Sequence, residues 1–207
     1  MKKRNVAVLI FDDVEVLDFC GPFEVFSVTG KRDGSDPFNV YTVAEKTPIS
    51  ARNTLSVNPH YTFDGCPQPD ILVVPGGGGK REDGTPFGTR KEMHNEVLLG
   101  WLNACYPQTE HLLSVCTGAL LLAKAGLVRN AAATTHHLTF DELRRVAPDA
   151  DVREGERVVD SGKLIFSGGI SAGIDASFYL VAKLLGEEAA SETARYMEYD
   201  WSGRQYG

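Results

Sequence analysis

The segment LLSVCTGALLLAKAG, residues 112–126, reads as two halves with no loop between them. Leu112 to Val115 continues an apolar run that begins near Glu110, a pattern that fits a strand buried on both faces. Ala119 to Ala125 is rich in Ala and Leu, which favours a helix, and Gly126 supplies its stop. The change of period falls on Cys116-Thr117-Gly118. A strand that runs straight into a helix is half of a βαβ unit, and active sites of such folds form outside the carboxyl ends of the strands. Cys116 therefore stands at a candidate nucleophile turn. Unpaired helical N–H groups and the positive end of the helix dipole lie close to it, and both favour a thiolate. Gly118 permits the tight turn such an elbow needs. The same position also suits an inert, buried cysteine that closes a strand.

Working outward, the same alternation recurs along the chain. Asn5 to Phe11 and Asp70 to Pro75 read as buried strands and Phe38 to Ala44 as a third, with a short extra strand at 55–57. A helix is expected to start near Gly21, because Pro22 is tolerated at a first helical turn, which leaves Asp18 in the preceding turn. Residues 80–90 read as a loop and 91–105 as one amphipathic helix. Ala131 to Thr135 reads as a short strand and Thr139 to Val146 as a helix. Arg157 to Asp160 and Lys163 to Ser167 flank Ser161-Gly162 as a hairpin. Helices at 172–185 and 187–199 close the chain. Strands that alternate with helices imply a single α/β domain spanning residues 1–207, with a mostly parallel sheet covered on both faces.

Further groups gather at the same edge of such a sheet. Gly76 to Gly79 follow the strand DILVVP (70–75) and expose backbone N–H groups that suit an oxyanion hole. A phosphate cradle is the competing use, but no Gly-Lys-Ser/Thr completes a P-loop. A flexible turn is the structural one. Asp18 follows the first strand and could exchange a proton with a thiol if burial raises its pKa, or serve only as a helix cap. His136, after the strand 131–135, is the best placed of five histidines to stand beside Cys116, with a packing or surface role as the alternative. His60, His94 and His111 read as structural.

Composition limits the partners. The 207 residues carry a formal charge of −7, which disfavours a phosphate backbone and hence nucleic acid. No apolar stretch approaches the roughly 20 residues that span a bilayer. The opening MKKRNVAVLIF (1–11) resembles a secretory leader but runs into Asp12 and Asp13, so a first strand, no membrane and a cytoplasmic location are expected. Cys20, Cys66, Cys105 and Cys116 are widely spaced, which fits neither a metal knuckle nor a disulfide framework.

Together LDFCGPFEVF (17–26), DILVVPGGGG (70–79), SVCTGALLLAKAGL (114–127), ATTHH (133–137) and GGISAGIDASFYLVAKLLG (168–186) resemble the ThiJ/PfpI superfamily, relatives of the class I glutamine amidotransferases, over nearly the whole chain. The resemblance implies a flavodoxin-like three-layer sandwich, a homodimer and Cys116 as nucleophile. The LD-x-x-GP and S-V-C-T-G patterns are most similar to isonitrile hydratase and to the sensor domains of AraC-type regulators. Asp18 stands where many members carry Glu, and Thr117 where the protease-like branch carries His, which speaks against a peptidase.

By the same carry-over, the backbone N–H groups of Gly77 and Thr117 form the anion pocket and Asp18 is the general acid. Gly173 and Asp175 shape the turn beside it, and Gly76, Gly78, His136 and Gly173 are expected to bind or support the substrate. Cys20 occupies a position that is often Thr, which leaves it a minor redox role. The implied activity is cofactor-free hydration of a small carbon–nitrogen compound, an isonitrile in the most concrete form. Two alternatives stand beside it. One is a ligand-sensing module without chemistry, disfavoured because the chain ends at Gly207 with no basic recognition helix; the other is a glyoxalase-like stress protein.

Overall fold

The computed structural model describes residues 2–32, 34–201 and 203. Its core is a seven-stranded sheet made of β1 (Arg4–Leu9), β2 (Phe38–Ala44), β3 (Tyr61–Thr62), β4 (Ile71–Val74), β5 (His111–Val115), β6 (Val158–Ser161) and β7 (Leu164–Ser167). The spatial order is β6-β7-β5-β4-β1-β2-β3. Every pairing is parallel except the hairpin of β6 with β7. The four apolar runs at 6–9, 71–74, 112–115 and 164–167 are buried throughout, because helices cover both faces. The doubly covered α/β sandwich expected from the alternation is thus observed.

Helices α1 (Val16–Val28), α6 (Ala172–Leu185) and α7 (Glu187–Tyr196) pack together, as do α2 (Thr89–Glu92), α3 (Glu96–Cys105), α4 (Gly118–Lys124) and α5 (Phe140–Val146). β1 leads to β2 on one side, while β4 lies on the other side of β1. The chain therefore reverses its direction of travel between β1 and β4. A crevice opens at such a switch point, outside the carboxyl ends of the strands.

Four local expectations are corrected. Helix α1 begins at Val16 rather than near Gly21, so Asp18 lies in its first turn and Pro22 inside it. Pro22 forfeits one helical bond, but Phe19, Val25 and Phe26 keep that face buried and the helix continuous. Residues 80–90 are not simply a loop: Gly78–Lys80 and Pro86–Gly88 form a small antiparallel hairpin. It closes through Arg81 N–H to Thr85 O at 2.9 Å, and Asp83 accepts the Thr85 N–H. The expected single helix over 91–105 is two, because Asn95 caps a new start by accepting from Val97 N and Leu98 N at 3.1 and 3.2 Å. Finally, the short strand near His136 is Ala132–Ala133, which pairs with Asp151–Val152 outside the central sheet.

Candidate active site

The carboxyl ends of β1, β4, β5 and β7 are neighbours, and each delivers one part of the site. After β5, Cys116 turns the chain at φ 56°, in the left-handed region where a non-glycine residue is strained. That conformation is over-determined by its surroundings. The Cys116 N–H donates to Gly168 O at 3.1 Å, and Thr135 Oγ1 donates to Cys116 O at 2.8 Å. Gly118 is required two residues on, because a Cβ there would stand 2.1 Å from the Val74 carbonyl oxygen.

After β1, the Asp18 side chain is wholly buried. Its Oδ2 accepts the Gly76 N–H at 3.0 Å, a bond that bridges the switch between β1 and β4. Its Oδ1 is buried and closes no hydrogen bond of good geometry, although the Cys116 thiol lies within interaction range of the carboxyl. Burial raises the Asp18 pKa to about 7, opposed by the hydrogen bonds from Gly76 and Cys116.

The thiol is not a resting thiolate. Burial pushes Cys116 up to about 12, the Asp18 charge raises it further, and backbone N–H groups of Ile170 and Thr117 work in the opposite sense. Desolvation outweighs the helix-terminus effect that the sequence suggested, because only 5% of the residue is exposed. The two groups titrate as a pair, which holds two protons below about 7 and one above it.

The glycine loop after β4 is tied to the elbow by Thr117. The Gly77 N–H, expected in an anion pocket, donates to Thr117 Oγ1 at 3.0 Å, and that hydroxyl also meets Thr89 Oγ1 at 3.0 Å. Gly76 leaves room for this contact: a Cβ on it would lie 2.4 Å from Thr117 Oγ1. The N–H groups acting on the sulfur are those of Thr117 and Ile170. Ile170 follows β7, and its φ of 51° is strained for a β-branched residue. The sequence signalled the glycines around it but not this donor. Gly173 packs against the Val115 side chain and so sets how closely α6 approaches β5. Asp175 pairs with Arg157 and accepts from Tyr199 Oη at 3.2 Å, while Arg157 also donates to Ser171 Oγ. These bonds anchor the turn that carries Ile170.

A cleft of about 520 Å³ opens over the elbow and is lined by Gly77, Gly78, Cys116, Thr117, His136 and Ile170 among others. His136 thus shares the cleft with Cys116, although its strand lies outside the main sheet. Its Nδ1 accepts the Leu138 N–H at 3.3 Å. Burial, then His137 and Arg90, lower its pKa, which leaves a neutral imidazole. The lining also brings in Glu15, Arg52, Arg90, Glu142 and Arg145, none of which the sequence singled out as a site residue. Cys20 is exposed on α1 and does not line this cleft. A second cavity of about 520 Å³ lies over Ile10, Phe11, Ile49 and Leu98, but its lining includes no cysteine. Among the described residues, no group of three or more His, Cys, Asp and Glu is placed to hold a metal, and no helix is long and apolar enough to cross a membrane.

The profile of the DJ-1/PfpI family matches residues 4–183. The chain belongs to the DJ-1/PfpI family. Among family relatives, isonitrile hydratase of Pseudomonas putida is 31% identical over 94% of this chain and 78% of its own length. A ThiJ/PfpI family protein from Pseudomonas syringae superimposes with a TM-score of 0.82 at 27% identity, over 97% of this chain and 76% of that one. The HTH-type transcriptional regulator GbdR of Pseudomonas aeruginosa is 21% identical over 95% of this chain, which spans 51% of that regulator. This DJ-1/PfpI chain thus resembles both an enzyme and part of a regulator.

Proposed function

We propose that the chain is a cysteine-dependent hydratase of small carbon–nitrogen compounds, and that an isonitrile is its substrate. The observation that carries this reading is the Asp18–Cys116 pair: a buried thiol and a buried carboxyl at one strained elbow, beneath a cleft of small-molecule size. The similarity to isonitrile hydratase supports the choice of substrate.

The chemistry follows from the proton count. With one proton on the pair, ionised Asp18 takes the Cys116 proton as sulfur bonds to the terminal isonitrile carbon. The same carboxyl then delivers that proton to the carbon, giving a thioimidate in which S and H have added to one atom. Water attacks this carbon, the C–S bond breaks, and an N-substituted formamide leaves with the thiol restored. The N–H groups of Thr117 and Ile170 steady negative charge on sulfur as it forms. No preformed thiolate is needed, so a Cys116 pKa near 12 is compatible with the reaction. Homodimer formation and a cytoplasmic location belong to the same proposal.

Incubation of the purified protein with aliphatic and aromatic isonitriles, with formamide as the readout, tests the activity. Formamide from at least one of them is expected, and none from any of them refutes it. A second reading, ligand sensing without turnover, is favoured by one observation: a buried thiol held protonated can serve as a pocket wall. It predicts saturable isonitrile binding without product.

A further inference from the structure

The cleft over Cys116 has an unusual charge for a chain of net −7. Its lining includes four cations, Arg52, Lys80, Arg90 and Arg145, against two carboxylates, Glu15 and Glu142. Two of the cations are already engaged. Arg90 Nη2 pairs with Glu142 at 2.7 Å, and Arg52 Nε faces Glu15 at 3.8 Å. Among the described residues, Lys80 has no ion pair, and Arg145 makes only a 3.4 Å bond from Nε to the Asp141 carbonyl. Glu142 and Arg145 lie three apart on α5 and so share one face of that helix. The Arg90–Glu142 pair therefore fixes the wall from which Arg145 projects.

The strongest influences on Cys116 are its burial, Asp18 and two backbone N–H groups, with none of the four cations among them. Their field is felt instead at His136, where Arg90 helps to keep the ring neutral. Lys80 and Arg145 are exposed whereas Cys116 is buried, so their charge lies nearer the rim of the cleft than the sulfur does. Apolar surface is available in the same cleft from Ile170 and from Leu138, which are 37% and 80% exposed. A substrate that fills this cleft can meet the buried sulfur, the apolar side chains of Ile170 and Leu138, and the exposed cations Lys80 and Arg145.

We infer that the cleft selects a substrate with an anionic tail, a carboxylate separated by an aliphatic segment from the group that reacts with Cys116, and that Arg145 and Lys80 receive that tail. Only the identity of the reacting head group rests on the hydratase reading. Arg145 supplies a planar fork suited to a carboxylate, and Lys80 a mobile point charge. Neither loses an existing ion pair when the tail binds.

The test alkylates Cys116 with N-(iodoacetyl)-β-alanine and with its methyl ester. Each forms an S–C bond, expels iodide and releases the thiol proton to buffer, so neither requires isonitrile turnover. The rate at Cys116 is followed by peptide mass, and the acid-to-ester ratio is divided by that for a small neutral thiol. The expected normalised ratio is about tenfold at low salt, falling as ionic strength rises. In Arg145→Gln and Lys80→Gln the ratio drops, and in the double variant it approaches one. A ratio of one or less in the wild type, or a preference retained by the double variant, overturns the proposal. Failure to hydrate any isonitrile would sink the hydratase reading and leave this ratio unaffected.

Discussion

Buried together, Asp18 and Cys116 act on each other in opposite senses: the carboxylate holds the thiol proton on, while the thiol hydrogen bond holds the carboxyl proton off. Desolvation is the largest influence on both, and it disfavours a resting thiolate beside an ionised carboxyl.

The first consequence concerns stability. The Asp18 pKa is 3.8 in its ordinary state and about 7 in the fold, so the folded chain binds the proton more tightly. Its contribution is fully present below the unfolded value and is lost as pH rises through about 7. Above that, the desolvated charge costs an upper bound of roughly 4 kcal/mol. Asp18→Asn is therefore expected to raise Tm at about pH 8, with each kcal/mol moving it by about 2–4 °C. The gain should shrink toward acid pH. Calorimetry across pH checks this, and an equal gain at all pH values would count against it.

The same substitution should lower the pKa of Cys116. Its largest cause, burial, remains, but the Asp18 charge and hydrogen bond that also raise it are removed. The pH dependence of iodoacetamide alkylation at Cys116 should shift to lower pH in Asp18→Asn. A shift to higher pH would show that the carboxyl does not act on the thiol in this sense.

Thr117 is expected to matter through its hydroxyl. Thr117→Val keeps the shape but leaves the buried Gly77 N–H without its acceptor and Thr89 without its partner. A loss of about 1–3 kcal/mol follows. Faster hydrogen exchange at Gly77 should accompany it, whereas unchanged exchange would mean that the loop is held by other contacts.

Gly118→Ala should be worse. The added Cβ would lie 2.1 Å from the Val74 carbonyl, which is backbone of a buried central strand and has no room to retreat. The expected cost is about 3 kcal/mol or more, read from urea denaturation. A cost below about 1 kcal/mol would mean that the elbow can move away from β4.

Much of this was legible because it depends on local pattern. Runs such as 71–74 announce burial on both faces, and Cys116 stands where such a run becomes a helix. Pro22 misled the placement of α1, since its cost is local while the packing of Phe19, Val25 and Phe26 that outweighs it is tertiary. The strained φ of Ile170 and the donor it aims at Cys116 exist only because β7 ends beside β5. Likewise Arg90, in a stretch that reads as loop, and Glu142 and Arg145, in an expected helix, carry no sequence sign of the one cleft that α2 and α5 wall together.

The most direct measurement is formamide production from one isonitrile, at about pH 8, by the wild type, Cys116→Ala and Asp18→Asn, with folding of each confirmed. The proposal predicts turnover by the wild type and a fall of about 10²-fold or more in kcat/KM for each variant, as expected when a nucleophile or its proton carrier is removed. Undiminished turnover by either variant would contradict the shared-proton mechanism.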